Sequence, residues 1–183
     1  YIKNWSNSKK DHLLKNEKQN HFISSRSLDI STNSFLIKII NEPHTLMSKV
    51  KKLRQRSFFS NSKKNKSDSD EFDQNCDHLV VIDRSVSESF VVGTYRLLLK
   101  PKFSKKFMFY SESEFDIKNL TNDESLTILE AGRSCVDENY RDGRIIKLLW
   151  RGLATYILNN KVDLIFGCAS FPSSNSQLFA KEL

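Results

Sequence analysis

The segment LEAGRSCVDENYRDGR, residues 129–144, puts a carboxylate and a guanidinium three positions apart in an otherwise apolar run. It then ends on two arginines around a glycine. Glu130, inside a strand, is a candidate general base, acting directly or through one water. Gly132 within the same strand marks a bulge or a close backbone approach. A bulge would leave a backbone N–H unpaired and free to stabilise a developing oxyanion. Arg141, Gly143 and Arg144 fall where a helix opens. Free N–H groups at a helix start bind phosphate, and two guanidinium groups add positive charge. A mutual structural ion pair between Glu130 and Arg133 is the alternative, and the residues alone leave it open.

These groups need a strand followed directly by a helix. LTILEAGRSCV (126–136) reads as the strand, interrupted at Gly132. DGRIIKLLWRGLATYILNN (142–160) reads as the helix. Ile145, Leu149, Gly152 and Tyr156 share one face of it, with Ile146, Leu153 and Ile157 beside them. Upstream, SFLIKIIN (34–41) is a short strand. EPHTLMSKVKKLRQRSFF (42–59) is an amphipathic helix with Pro43 near its start, Leu46, Val50 and Leu53 at helical spacing, and a basic outer face. HLVVID (78–83) and SFVVGTYRLLL (89–99) read as a hairpin. FYSESEFDI (109–117) suggests a short strand and a turn. DLIFGCASF (163–171) is a buried-type strand, and SNSQLFAKEL (174–183) begins a further helix. The order implies an α/β fold, a mostly antiparallel sheet with one parallel crossover near the end.

The 183 residues fit one domain with a core and an attached tail. Residues 1–33, rich in Asn, Ser and Lys, read as a polar, basic, disordered segment with a weak helix near 11–18; residues 34–183 form the domain. The net charge of +7 is uneven. Residues 1–66 hold 15 Lys or Arg against 4 Asp or Glu, and residues 67–183 hold 14 against 18. A basic front points to an anionic partner: nucleic acid, an anionic membrane or an acidic protein. Little aromatic interleaving and no nucleic-acid motif argue against the first. No apolar run is long enough to span a bilayer and no export signal is visible, so a cytoplasmic location is expected. Three cysteines without CxxC spacing support neither a disulfide framework nor a zinc site.

The combination resembles the GNAT-like acyltransferases, and within them the ornithine-acyl carrier protein N-acyltransferases of ornithine lipid synthesis, often labelled hemolysin-like. The matching stretches are LRQRSF (53–58), FDQNCDHLVVID (72–83), VVGTYRLL (91–98), FYSESEFDI (109–117), residues 129–157 and LIFGCASFP (164–172). Acyl-homoserine-lactone synthases share a sparser version, with Arg54, Phe58, Asp70, Asp73, Arg96, Glu130 and Arg133 at the matching positions. The tryptophan that those synthases carry after the first helix is lacking here, which favours the ornithine lipid branch.

The resemblance implies a GNAT-like fold, a mostly antiparallel central sheet flanked by helices, whose C-terminal part lies beyond Leu183. It implies transfer of a 3-hydroxy fatty acyl group from acyl carrier protein to the α-amine of L-ornithine, giving lyso-ornithine lipid. Catalysis falls to Glu130, Gly132 and Arg133, and the donor's phosphopantetheine to Arg141, Gly143 and Arg144. Asp70, Asp73 and Arg96 would bind the acceptor, while Arg54, Phe58 and Trp150 are acyl-pocket or structural residues. No metal and no resident cofactor are implied, because the phosphopantetheine arrives on the carrier protein. An anionic membrane surface, at the inner face of the cytoplasmic membrane, is a further expected partner. The residues by themselves specify only thioester-to-amine chemistry. The rival readings are an acyl-homoserine-lactone synthase-like enzyme and a non-catalytic relic or basic binding module. Arg96 as a bridge between strands, Asp70 and Asp73 as solvated loop acids, and Trp150 and Tyr156 as core residues are the structural alternatives.

Overall fold

The computed structural model describes residues 28–59, 68–104 and 107–169. Six strands form one sheet in sequence order: β1 (Asp29–Ser31), β2 (Phe35–Ile40), β3 (Asp77–Asp83), β4 (Val91–Lys100), β5 (Ile128–Val136) and β6 (Leu164–Phe166). The first four pairings are antiparallel and the last, β5 with β6, is parallel. Helix α1 (Met47–Phe59) precedes β3, the short α2 (Lys118–Thr121) precedes β5, and α3 (Arg144–Asn159) makes the crossover to β6.

Alternation along the strands builds the layers. Ile37, Ile39, Leu79 and Val81 point to the face covered by α3, through Ile145, Leu149, Leu153 and Tyr156. Ile40, Val80 and Ile82 point to the other face, where Met47, Val50 and Leu53 of α1 pack. With both faces covered, every residue of β3 is buried. A third cluster of Cys76, Leu98, Phe109 and Ile128 closes the end of the sheet beside β6.

Several boundaries differ from the sequence reading. β1 lies within the segment expected to be disordered, because Ile30 pairs with Ile37 and Leu28 packs into the core. Helix α1 starts at Met47 rather than beside Pro43; His44 Nδ1 accepts from Leu46 N at 3.0 Å and occupies the approach to the first turn. Residues 110–113 form a 3-10 turn, not a strand, since their N–H groups find a carboxylate instead of a ladder partner. β6 pairs for only three residues, from Leu164 to Phe166. The helices expected near 11–18 and 174–183 lie outside the described residues.

Candidate active site

Glu130 is the last β5 residue to pair with β6, opposite Phe166. Just beyond it the β4–β5 register slips: Arg96 faces Gly132 but Thr94 faces Cys135, so Arg133 and Ser134 together oppose Tyr95. The bulge anticipated from Gly132 is thus present, with a difference. Gly132 is not the left-handed residue; Arg133 is, at φ 49°. That conformation is costly for a side chain with a Cβ, so the surroundings must hold it. Arg133 Nε lies 3.4 Å from Asp68 Oδ1, its Nη2 lies 3.6 Å from Asp70 Oδ2, and its guanidinium stacks 5.0 Å from the Tyr110 ring.

Glu130 and Arg133 are therefore not an ion pair. The Glu130 carboxylate, 5% exposed, is held by the 3-10 turn at Tyr110–Ser113. Tyr110 N donates to Oε2 at 2.8 Å; Ser111 N and Ser111 Oγ donate to Oε1 at 3.0 and 2.5 Å. A carboxylate offers roughly four acceptor positions, so three bonds leave about one free. Ser111 Oγ also lies 3.0 Å from the sulfur of Cys168, an exposed residue. Ser111 was missed in the sequence because nothing local links it to a residue nineteen positions away.

Three arginines and three aspartates form a lattice beside this turn. Arg54 is fully buried and reaches Asp68 (Nε–Oδ2, 2.6 Å) and Asp73 (Nη1–Oδ1, 2.9 Å; Nη2–Oδ2, 3.1 Å). Arg96 Nη1 meets both Asp70 oxygens at 2.7 Å and Asp73 Oδ1 at 3.2 Å. The Arg96 guanidinium also lies 5.1 Å from the Tyr110 ring and 5.9 Å from that of Phe72. Burial would raise the Asp73 carboxyl, but the hydrogen bonds and charge of Arg54, then of Arg96, outweigh it and hold it below its ordinary value.

This geometry changes two of the acceptor assignments, those of Asp73 and Arg96. Asp73 is 0% exposed and saturated by two arginines, so it offers nothing to an acceptor amine. Arg96 is a buried bridge rather than a ligand-facing cation, while Asp70, with 26% of its side chain exposed, is the one acid of the expected pair that reaches the surface. Asp70 caps the 3-10 turn at Glu71–Asn75, accepting from Phe72 N at 3.0 Å, and Asp73 completes the capping box. Phe58 at 45% and Trp150 at 61% are exposed, and Trp150 sits on the outer face of α3, so neither is a core residue. Tyr156 is core and donates to Asp77.

The helix start keeps Arg141, Gly143 and Arg144 together. Gly143, at φ 88°, is the left-handed cap residue of α3, a conformation only glycine adopts at little cost. The sequence reading overlooked Asp142 as an occupant of that end. Its carboxylate accepts from Arg144 N at 2.9 Å and Arg144 Nε at 2.7 Å, bonds that also lower its pKa. Both side chains are exposed. Arg141 Nε donates to Val136 O at 3.3 Å. Burial pushes the Cys76 thiol up to about 12 and the Cys135 thiol up to about 11, which removes both as nucleophiles.

The acetyltransferase (GNAT) domain family matches residues 53–151, from α1 through the bulge into α3. The chain belongs to the GNAT family. It is 43% identical over 108 residues to a Brucella abortus protein named L-ornithine N(alpha)-acyltransferase, covering 57% of this chain and 38% of that protein. An Agrobacterium fabrum protein of the same name is 43% identical over 122 residues, covering 64% of this chain and 42% of that protein. The chain spans about two fifths of the length of these relatives. Among solved GNAT-like structures, the AHL synthase LasI superposes with a TM-score of 0.55 at 16% identity, covering 74% of this chain and 72% of that one. An aminoglycoside acetyltransferase from an uncultured soil metagenomic sample gives 0.52 at 13% identity, covering 82% and 87%. At such identities the likeness is one of fold.

Proposed function

We propose that this chain carries the acyl-transfer site of an L-ornithine N-acyltransferase. The reaction moves a 3-hydroxy fatty acyl group from acyl carrier protein to the α-amine of ornithine, giving lyso-ornithine lipid. The observation that carries the reading is Glu130, held by three hydrogen bonds three residues before a bulge, within a region about 43% identical to proteins of that name.

N-acylation needs a deprotonated amine, an activated thioester and a donor to the oxyanion. Glu130 takes the amine proton at its remaining acceptor position, through one water, as the nitrogen bonds to the acyl carbon. The C–S bond then breaks and the proton passes to the leaving pantetheine thiolate. A backbone N–H of the bulged pair Arg133 and Ser134 meets the thioester oxygen. Arg141, Gly143 and Arg144 receive the phosphopantetheine phosphate once Asp142 swings away. Asp70 meets the cationic acceptor. The exposed Lys49 and Lys52 of α1 attract the acidic carrier protein, an attraction that weakens with salt. The same basic character suits an anionic membrane surface at the cytoplasmic side. Among the described residues no helix is long and apolar enough to cross a membrane.

The test is a product assay: purified protein, labelled 3-hydroxyacyl carrier protein and a panel of amino acids, with S-adenosylmethionine as a separate acceptor. A lipid-extractable amide formed with ornithine supports the proposal. Label transferred only to S-adenosylmethionine, or to no acceptor, rejects it.

A further inference from the structure

Helix α3 has a second face. Its inner side buries Ile145, Leu149, Gly152, Leu153 and Tyr156 against the sheet. At 100° per residue the opposite side carries Lys147, Trp150, Arg151, Ala154 and Leu158, with Arg144 at its edge. All six are exposed, Trp150 at 61% and Leu158 at 76%. No acidic residue occurs between Arg144 and Asn159. A solvated face normally mixes both signs of charge and hides its large apolar groups, and this one does neither.

We infer that the outer face of α3 docks on an anionic lipid bilayer, lying in the interface plane. Trp150 and Leu158 enter the boundary between headgroups and acyl chains, while Lys147 and Arg151 keep their charges at the headgroups. Charge selects the occupant. Arg144 is answered by Asp142, but a second copy would set Lys147 and Arg151 against the same two cations, with no acid between Arg144 and Asn159 to answer them. The segment 1–27 is itself basic, with six Lys or Arg against two Asp or Glu, so it is repelled as well. A nucleic acid would satisfy the cations but would leave Leu158 and Trp150 without an apolar phase. An anionic membrane surface offers both. An acidic protein such as the carrier is the competing occupant, and carrier binding that Trp150→Ala weakens in the absence of any vesicle binding would decide for it. The inference makes no use of Glu130, so a failed turnover assay leaves it untouched.

The experiment uses the intrinsic fluorescence of Trp150 in a Trp5→Phe background, where it is the sole tryptophan. Vesicles of phosphatidylcholine containing phosphatidylglycerol are titrated in, with pure phosphatidylcholine as the comparison. Expected are a blue shift of Trp150 emission and quenching by brominated acyl chains, with the anionic vesicles only. Each cation near an anionic surface contributes about 1 kcal/mol, so Lys147→Gln and Arg151→Gln each weaken partitioning about 5-fold and the pair about 30-fold. Leu158→Ala, at an exposed position that leaves the fold intact, also weakens it. Vesicle binding with unshifted Trp150 emission would place the membrane contact elsewhere and overturn the inference. No vesicle binding at all, or a dimer in sedimentation abolished by Trp150→Ala, would overturn it too.

Discussion

Ser111 Oγ sits 2.5 Å from Glu130 Oε1 and 3.0 Å from the sulfur of Cys168, so one hydroxyl joins a buried carboxylate to an exposed thiol. The same residue's N–H makes a second bond to Oε1, and Tyr110 N holds Oε2. The carboxylate is thus aimed by a turn that the β-strand pattern would never have supplied.

Ser111 is accordingly a positioning residue. Ser111→Ala removes one hydrogen bond to a charged group, a loss of about 1.5–3 kcal/mol, or about 10- to 100-fold in kcat. KM for ornithine should change little, and Ser111→Thr, which keeps the hydroxyl, should recover most of the loss. Equal kcat in the alanine and threonine variants would remove the role.

Asp142 occupies the helix end that the donor phosphate would need. Asp142→Asn takes a negative charge from the N-terminus of α3, where an incoming anion gains about 0.3–1 kcal/mol. KM for acyl carrier protein should fall about 2- to 5-fold at constant kcat. A rise in KM would mean that the carboxylate, by ordering Arg144, helps build the cradle.

Arg54 joins two buried acids across 14 and 19 residues of chain. Arg54→Ala leaves Asp68 and Asp73 buried without their cation, at a cost of about 3–5 kcal/mol measured by denaturant unfolding. Arg54→Lys should recover little, because one ammonium cannot reproduce the fork.

How much of this was readable beforehand follows from where the physics is local. The strands, α1 and α3 carry their own periodicities, so their existence and order were legible. The bulge was legible from Gly132, but its left-handed residue is Arg133, whose conformation depends on Asp68, Asp70 and Tyr110, all distant in sequence. Asp70 and Asp73 read as acceptor-binding or solvated acids because their partners Arg54 and Arg96 come from other elements. Trp150 reads by residue type as an acyl-pocket or core residue, whereas its angular position on the helix puts it outside.

Stability should respond to acid in two steps. Burial lowers the His78 pKa, and the hydrogen bond to the Asp73 carbonyl only partly opposes this. The folded state therefore binds fewer protons than the unfolded chain, and stability falls as pH drops below about 6.5. Asp73 titrates lower when folded than unfolded, so its contribution is complete above about pH 4 and is lost below it. His44, lowered by burial and by Lys38, adds to the same limb, so His78→Gln should shrink the first limb of a plot of Tm against pH and leave the second. An unchanged first limb would show that His78 is not its source.

The most direct test of the account is the turnover of Glu130→Gln per folded molecule. Glutamine keeps the shape but sets an NH2 group against the N–H of Tyr110 or Ser111, so a lower Tm is expected whether or not Glu130 is catalytic. Melting alone cannot separate the two roles, but single-turnover kinetics on the folded fraction can. With acyl carrier protein thioester and ornithine, the account predicts a fall of about 10² to 10⁴ in the rate of amide formation, with carrier binding retained. A folded Glu130→Gln that forms amide at the parent rate would contradict it.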